Sequence, residues 1–380
     1  SWPVKFVYKD LTVQDPVEKT HSTGKATVKI TGGRIGTTGS DNGDVFGGTR
    51  GMAGDRYELA EFGNVRETEV IVDFTPPSTD AINPIEDGGK YKLRIDLKDG
   101  SDLVNAIAGS VYGGGENGHV NENTKVDVRN GLIGHAIYGG GKGKGTYIPS
   151  GGTEAVSSIT AGKVYGNTQV TMSNGYVLRN IYGGGNLGSV GKGNYAGGAD
   201  DYASGYGEKI TGNLWTTAFD SESLESESNP KDNAWYFMNS GKATVNVLGG
   251  TIGLLPTSAA QLAAFEKDDL PTGNVFGACR GQAAAEMPSL EFDEKNPDFF
   301  FGYVNETDVN IGGYRCKTEC TIGTTTYKVG DCITATEYDA LASGKNNWDL
   351  IGPTIRGSVY GGGQDGHVLR DSKISVFSGE

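Results

Sequence analysis

The chain has 380 residues, of which 62 are glycine and only 12 proline, and its 33 Lys and Arg against 47 Asp and Glu leave a net charge of −14. Glycine well above its usual share, without a three-residue period, excludes collagen, and the negative charge argues against nucleic acid and anionic membrane surfaces as partners. No apolar run approaches the roughly 20 residues that span a bilayer, and no signal-peptide pattern opens the chain; the start at Ser1 reads as a processed product or an excised fragment.

In chain order, the first regular feature is Val28-Lys29-Ile30, a period-two run that marks a β-strand. It returns as Val126-Asp127-Val128, Val170-Thr171-Met172, Val245-Asn246-Val247 and Val309-Asn310-Ile311. A second phrase, aliphatic then aromatic then two small residues, follows as Val45-Phe46-Gly47-Gly48, Val111-Tyr112-Gly113-Gly114, Ile137-Tyr138-Gly139-Gly140, Ile181-Tyr182-Gly183-Gly184, Val275-Phe276-Gly277-Ala278 and Val359-Tyr360-Gly361-Gly362. Val126 leads Tyr138 by the same interval as Val170 leads Tyr182, and the return leg from Tyr112 to Val126 equals that from Tyr360 to Ile374, so the basal unit is the stretch from Tyr112 to Tyr138. Longer intervals keep the flanking phrases intact, which makes the additional residues insertions into a stack.

Each unit offers three short β phrases (Val-x-Val, aliphatic-aromatic and Gly-x-Val) with no helix between them. The pattern predicts an all-β fold, a right-handed parallel β-helix (solenoid) with loop, short-helix and β-ribbon insertions. Residues 1–380 then form one continuous solenoid fragment of a longer array, because Ile374-Ser375-Val376-Phe377 opens another coil without a polar cap. Val, Ile and Met are expected inside, Lys29, Asp127, Thr171, Asn246 and Asn310 outside, and the aromatics at 46, 112, 138, 182, 276 and 360 in one packing column.

Four segments interrupt the repeat: 73–90, 186–241, 254–273 and 314–354. The first, with Pro76, Pro77 and Pro84, reads as a loop. The second concentrates Tyr195, Tyr202, Tyr206, Trp215 and Trp235, which makes these five the candidate ligand-binding residues, rings that stack on sugar faces; the competing reading has Trp215 and Trp235 anchoring the insertion to the scaffold wall. Within the third, 257–269 reads as a helix capped by Thr257 or Ser258. The fourth carries Cys316, Cys320 and Cys332 around a ribbon that turns at Gly330-Asp331, which is expected to bring Cys332 close to Cys316 or Cys320; a disulfide, free thiols and a zinc site with Cys279 all remain open.

The phrases Val111-Tyr112-Gly113-Gly114-Gly115, Ile181-Tyr182-Gly183-Gly184-Gly185 and Val359-Tyr360-Gly361-Gly362-Gly363, with Gly32-Gly33-Arg34-Ile35-Gly36, resemble the large repetitive Gly-rich surface proteins of gut-type anaerobic bacteria. The stretch Tyr327 to Thr334 and on through Leu341 resembles linker-like pieces of the same proteins. The resemblance implies a pectin-lyase-like β-helix, export and surface display.

No catalytic constellation is expected. Asp127 lines up with Lys29, Thr171, Asn246 and Asn310, so no acidic pair builds up on that face. Asp41-Asn42-Gly43-Asp44 lacks the ligand spacing of a calcium loop and reads as a solvated turn. His119 and His367 occupy matching positions in separated coils and read as surface turn residues. The expectation is therefore a secreted or cell-surface structural or adhesive module without metal or cofactor, whose partner is a glycan or another surface protein; the alternative is a polysaccharide-binding or polysaccharide-cleaving β-helix protein.

Overall fold

The computed structural model describes residues 3–4, 19–20, 24–36, 43–51, 63–77, 85–87, 90–92, 105–143, 161–191, 193–194, 208–209, 240–254, 259–260, 273–281, 302–368 and 370–379. Their regular structure is mostly β, with almost no helix. The chain lays one strand in each of three parallel sheets and then begins again; we call one such round a pass. The first sheet takes Lys25–Ile30, Glu67–Asp73, Thr124–Asn130, Thr168–Met172, Lys242–Val247, Glu306–Ile311 and Ser372–Val376, side by side in sequence order. The second takes Arg34–Ile35, Ala106–Ile107, Leu132–Ile133, Tyr176–Val177, Thr251–Ile252 and Thr354–Ile355. The third takes the six aliphatic-aromatic pairs from Val45–Phe46 to Val359–Tyr360. A shorter fourth line joins Asn64–Val65 to His119–Val120, Val120 to Val164, Val164 to Val190 and Tyr303–Val304 to His367–Val368.

Alternation decides which side chains go inside. In Glu306–Ile311 the buried residues are Thr307, Val309 and Ile311, as a period of two requires. Register then places like on like: Val70, Val126, Val170, Val245 and Val309 pair in succession and are fully buried. They pack with Val111, Ile137, Ile181 and Val275 of the third sheet and Ile107, Ile133, Val177 and Ile252 of the second into one core. Each such side chain contributes about 1.5–3 kcal/mol on burial.

One inward position is polar. Thr68, Thr124, Thr168 and Thr307 each donate a hydroxyl hydrogen bond, 2.6 to 2.7 Å long, across the interior to the carbonyl of Gly113, Gly139, Gly183 or Gly361 in their own pass. Those glycines are obligatory for a steric reason: a Cβ on Gly113, Gly139, Gly183 or Gly277 would collide with the carbonyl oxygen of its counterpart in the following pass.

Several expectations are corrected. There are seven strands in the first sheet, because Glu67–Asp73 also belongs to it; three β-branched residues in a row, Val70-Ile71-Val72, hide its period of two. The Gly-x-Ile phrases form a sheet of their own, so the described residues form three long sheets plus the fourth line, beyond the three phrases expected. Within 73–90, Ile85–Asp87 pairs antiparallel with Lys90–Lys92, and the intervening Gly88-Gly89 is the sequence signal for such a hairpin. Asn186–Gly191 belong to the repeating structure, since Val190 is bridged to Val164 and donates to Tyr303 O at 2.9 Å. Of the helix expected over 257–269, only Ala259 and Ala260 are described, and both are helical.

The segment beginning at Gly313 is a packed unit. Gly313–Cys316 is the centre of an antiparallel sheet between Cys332–Thr334 and Trp348–Ile351, and Cys320–Ile322 forms a hairpin with Thr325–Tyr327. The expected turn is present: Gly330 takes φ +97° and Asp331 N donates to Lys328 O at 3.0 Å. Ala335–Asp339 is a short helix started by a capping box, in which Thr334 Oγ1 accepts from Glu337 N at 3.2 Å while Glu337 Oε2 accepts from Thr334 N at 2.7 Å.

Candidate functional site

The aromatics of the third sheet stack face to face. Phe46, Tyr112, Tyr138, Tyr182, Phe276 and Tyr360 follow one another with ring centroids 4.6 to 4.9 Å apart and interplanar angles of 4° to 10°. The inner rings are buried and Tyr360, in the last pass, is 46 % exposed. Burial holds the phenols of Tyr112, Tyr138 and Tyr182 neutral and raises all three above the usual tyrosine value; Asp44 adds to this at Tyr112, and the flanking tyrosines add to it at Tyr138.

A polar line runs beside this stack. Arg50, Glu116 and Lys142 are bridged in succession, as are Asn186, Arg280 and Gln364, and Lys142 is bridged to Leu187 beside Asn186; bases stand in the first, third and fifth passes and an acid or amides in the second, fourth and sixth. The passes with the acid or amides place a non-glycine residue in the left-handed region directly afterwards, Asn117, Leu187 and Asp365, at φ 53° to 60°; in the basic passes that residue is Gly51, Gly143 or Gly281.

The side chains of this line reach back two passes. Lys142 Nζ meets Asp44 Oδ2 at 3.1 Å, Asn186 Nδ2 meets Tyr112 OH at 3.4 Å, the Arg280 guanidinium bonds the Tyr138 hydroxyl, and Tyr182 OH donates to Gln364 Oε1. Where Phe46 has no hydroxyl, Asp44 supplies the oxygen. Asp44 Oδ1 also accepts from Ser110 N at 2.7 Å, so both of its oxygens serve the scaffold. The same position carries a ladder further along the stack: Asn180 Oδ1 accepts from Asn274 N and Asn274 Oδ1 from Ser358 N, each at 2.8 Å. Asp44 is thus built into the sheet and is not a solvated turn.

A second polar line follows the fourth set of pairs: Asn64, His119, Lys163, Ser189, Tyr303 and His367, each preceding a buried or half-buried valine. Lys163 is wholly buried; its Nζ donates to Tyr303 OH at 2.8 Å and sits 5.2 Å from the Tyr165 ring centre and 5.3 Å from that of Tyr303. His119 packs edge-on to Tyr165 at 5.7 Å and is 3 % exposed, so the reading of His119 as a surface turn residue is corrected. The valine column beneath draws the backbone inward and takes His119 with it. His367 is half-buried.

On the outer face of the first sheet, register places Asp127 in line with Lys29, Ile71, Thr171, Asn246 and Asn310. The carboxylates there face cations: Glu69 lies 2.7 Å from Lys25 and 3.5 Å from Lys125, Asp127 3.0 Å from Arg129, and Asp308 3.3 Å from Lys242. The Lys25 hydrogen bond holds Glu69 below its usual value. A carboxylate so paired is a poor proton donor, and a two-carboxylate hydrolase needs one of the pair raised. Among the described residues no group of three His, Cys, Asp or Glu is placed to hold a metal ion.

The four cysteines are free. Cys279 takes the place of the third glycine of its phrase; burial pushes its thiol up to about 12. Gly185 N donates to its sulfur at 3.2 Å. Tyr195, Tyr202, Tyr206, Trp215 and Trp235 lie outside the described residues; nearby, Gly193–Asn194 pairs in parallel with Glu208–Lys209. The two polar lines escaped the sequence reading, although the recurrent polar residue before each of Val65, Val120, Val164, Val190, Val304 and Val368 was the available signal.

No protein-family model matches the chain, and no curated protein and no solved structure matches it.

Proposed function

We propose that the chain is a right-handed parallel β-helix that serves as a non-enzymatic structural or adhesive module, secreted or displayed at a cell surface. The observation that carries this reading is the unbroken strand order of three parallel sheets, in which each pass adds one strand to every sheet beside the strand of the pass before. Parallel strands of one sheet joined by crossovers are right-handed in nearly all proteins, and a chain that returns to the same three sheets in turn closes into coils. The polar groups along this scaffold bond to one another, and the outer carboxylates are matched by Lys or Arg. Such a body spaces and presents what its insertions carry; a glycan or another surface protein is the partner of that role. Surface display rests on the resemblance of the Tyr-Gly-Gly-Gly phrases.

Two measurements test this. Incubation with acidic and neutral polysaccharides is expected to release no reducing ends or unsaturated products; steady release by the purified chain would overturn the non-enzymatic reading. Antibodies to the chain are expected to label intact, unpermeabilised cells of the source, with labelling lost after mild protease treatment; signal seen only after permeabilisation would refute display.

A further inference from the structure

Three of the four cysteines lie in the antiparallel unit, and two of them, Cys316 and Cys320, belong to its apolar cluster. Cys316 ends the central strand and Cys320 opens the hairpin, with Lys317-Thr318-Glu319 between them. Cys316 Sγ lies 3.1 Å from Thr318 O and 3.9 Å from Tyr327 O. Tyr327 is the direct cross-strand partner of Cys320, so the hairpin folds Cys320 back over the Cys316 thiol. Both belong to one apolar cluster with Ile333 and Trp348.

Cys332 is close in backbone but turned away. It pairs with Arg315, and successive residues of a strand point to opposite faces, which puts the Cys332 side chain on the face opposite Cys316. Its thiol donates to Gly330 O at 3.4 Å instead. The expected fold-back of the ribbon is therefore present, while the thiol it brings to Cys316 is that of Cys320. Cys279 is sealed in the stack, donating to Gly188 O at 3.4 Å.

We propose that Cys316 and Cys320 form a modification site, a dithiol that a small-molecule disulfide oxidises to an intramolecular disulfide. Cys316 is buried and Cys320 only half-buried, so the more accessible Cys320 reacts first. Its sulfur attacks one sulfur of the reagent; the reagent's S–S bond breaks, and one small thiolate leaves and takes up the proton Cys320 has lost. Cys316, losing its own proton, attacks the Cys320 sulfur of the mixed disulfide and expels the second small thiol. Two electrons pass from the two cysteine sulfurs to the reagent, and two thiols are released for each bridge formed. The bridge ties the hairpin to the strand that carries the unit's core, where Tyr327 packs edge-on to Trp348 at 5.1 Å.

The test uses the folded full chain and oxidised glutathione. After acid quenching and denaturation, two of the four thiols are expected to remain. Trypsin cuts after Arg315, Lys317, Lys328 and Lys345, so the bridge would join the dipeptide Cys316-Lys317 to peptide 318–328, and a reductant would separate them. Peptide 318–328 joined to 329–345 would mean a Cys320 to Cys332 bridge and overturn the proposal. Four surviving thiols, or a lasting glutathione adduct on Cys320, would overturn it as well. Cys332→Ser is expected still to lose two thiols and Cys320→Ser to lose none, each compared with the parent by circular dichroism to confirm folding; loss of two thiols in Cys320→Ser would refute the assignment.

Discussion

In the parallel sheets Tyr112 stacks on Tyr138 and Val245 pairs with Val309, each partner lying a whole pass further along the chain, whereas in the antiparallel unit Cys320 pairs with Tyr327 across a single tight hairpin. The stack draws its contacts from the same position in the next pass, so no pass can hide its apolar strip or satisfy its backbone alone. The unit from Gly313 to Ile351 closes on itself around Cys316, Ile333 and Trp348, with its own helix cap. Damage in the first kind of structure should spread along the sheets; damage in the second should stay local.

The sharpest way to break this contrast is steric. Gly139→Val puts atoms where the Gly183 carbonyl stands, and because the displaced group is backbone shared by every following pass we expect a loss of about 5 kcal/mol, read as failure to accumulate folded protein. Gly362→Ala, at a site in the last pass with nothing within 4 Å of the added Cβ, is expected to leave the melting temperature within the error of the parent. Equal effects at the two sites would sink the idea that succession of passes sets the cost.

The second test uses alkali. Tyr112 and Tyr138 ionise only well above their usual value in the folded chain, and Tyr182 above it, while in the unfolded chain all three ionise near pH 10. Above that pH the folded state holds two more protons than the unfolded one at Tyr112 and Tyr138, so stability complete below about pH 10 should fall by about 3 kcal/mol for each further pH unit. Melting temperatures taken across this range, with tyrosinate absorbance as a second signal, would report the slope. Tyr138→Phe should halve it. A slope of one proton would mean that water reaches most of the stack.

The smallest expected effect concerns the unit. Trp348→Ala removes a side chain 5 % exposed and should cost about 3 kcal/mol. Amide exchange is expected to quicken across 313–351 and to stay slow in Val126, Val170 and Val245. Faster exchange throughout would show the two regions to be one cooperative body.

Much of the stack was legible in the sequence because its determinants are periodic. Val-x-Val strands, the aromatic phrase and the basal interval from Tyr112 to Tyr138 all name pairs that the sheets contain. What escaped was what periodicity does not encode. Arg34–Ile35 and its successors are two residues long, too short for alternation to register. Lys163 and His119 are buried because a column of valines carries them inward, against the usual preference of charged side chains. The helix at Ala335–Asp339 did have a local signal, Thr334-Ala335-Thr336-Glu337, which the hairpin signals around it outweighed. The five aromatic candidates from Tyr195 to Trp235 fall outside the described residues, so the described structure bears on the scaffold that would carry them.

The side chains that reach back across two passes also have a mechanical meaning. Pulled along the stacking direction, neighbouring passes part by losing their interstrand hydrogen bonds together. Of the four contacts from the line beside the aromatic stack, two cross the boundary between the third and fourth passes, Asn186 to Tyr112 and Arg280 to Tyr138, whereas one, Lys142 to Asp44, crosses that between the first and second and one, Gln364 to Tyr182, that between the fifth and sixth. The third-to-fourth boundary is therefore double-stitched and the other two single. Under tension a boundary crossed by two such contacts should part after one crossed by a single contact.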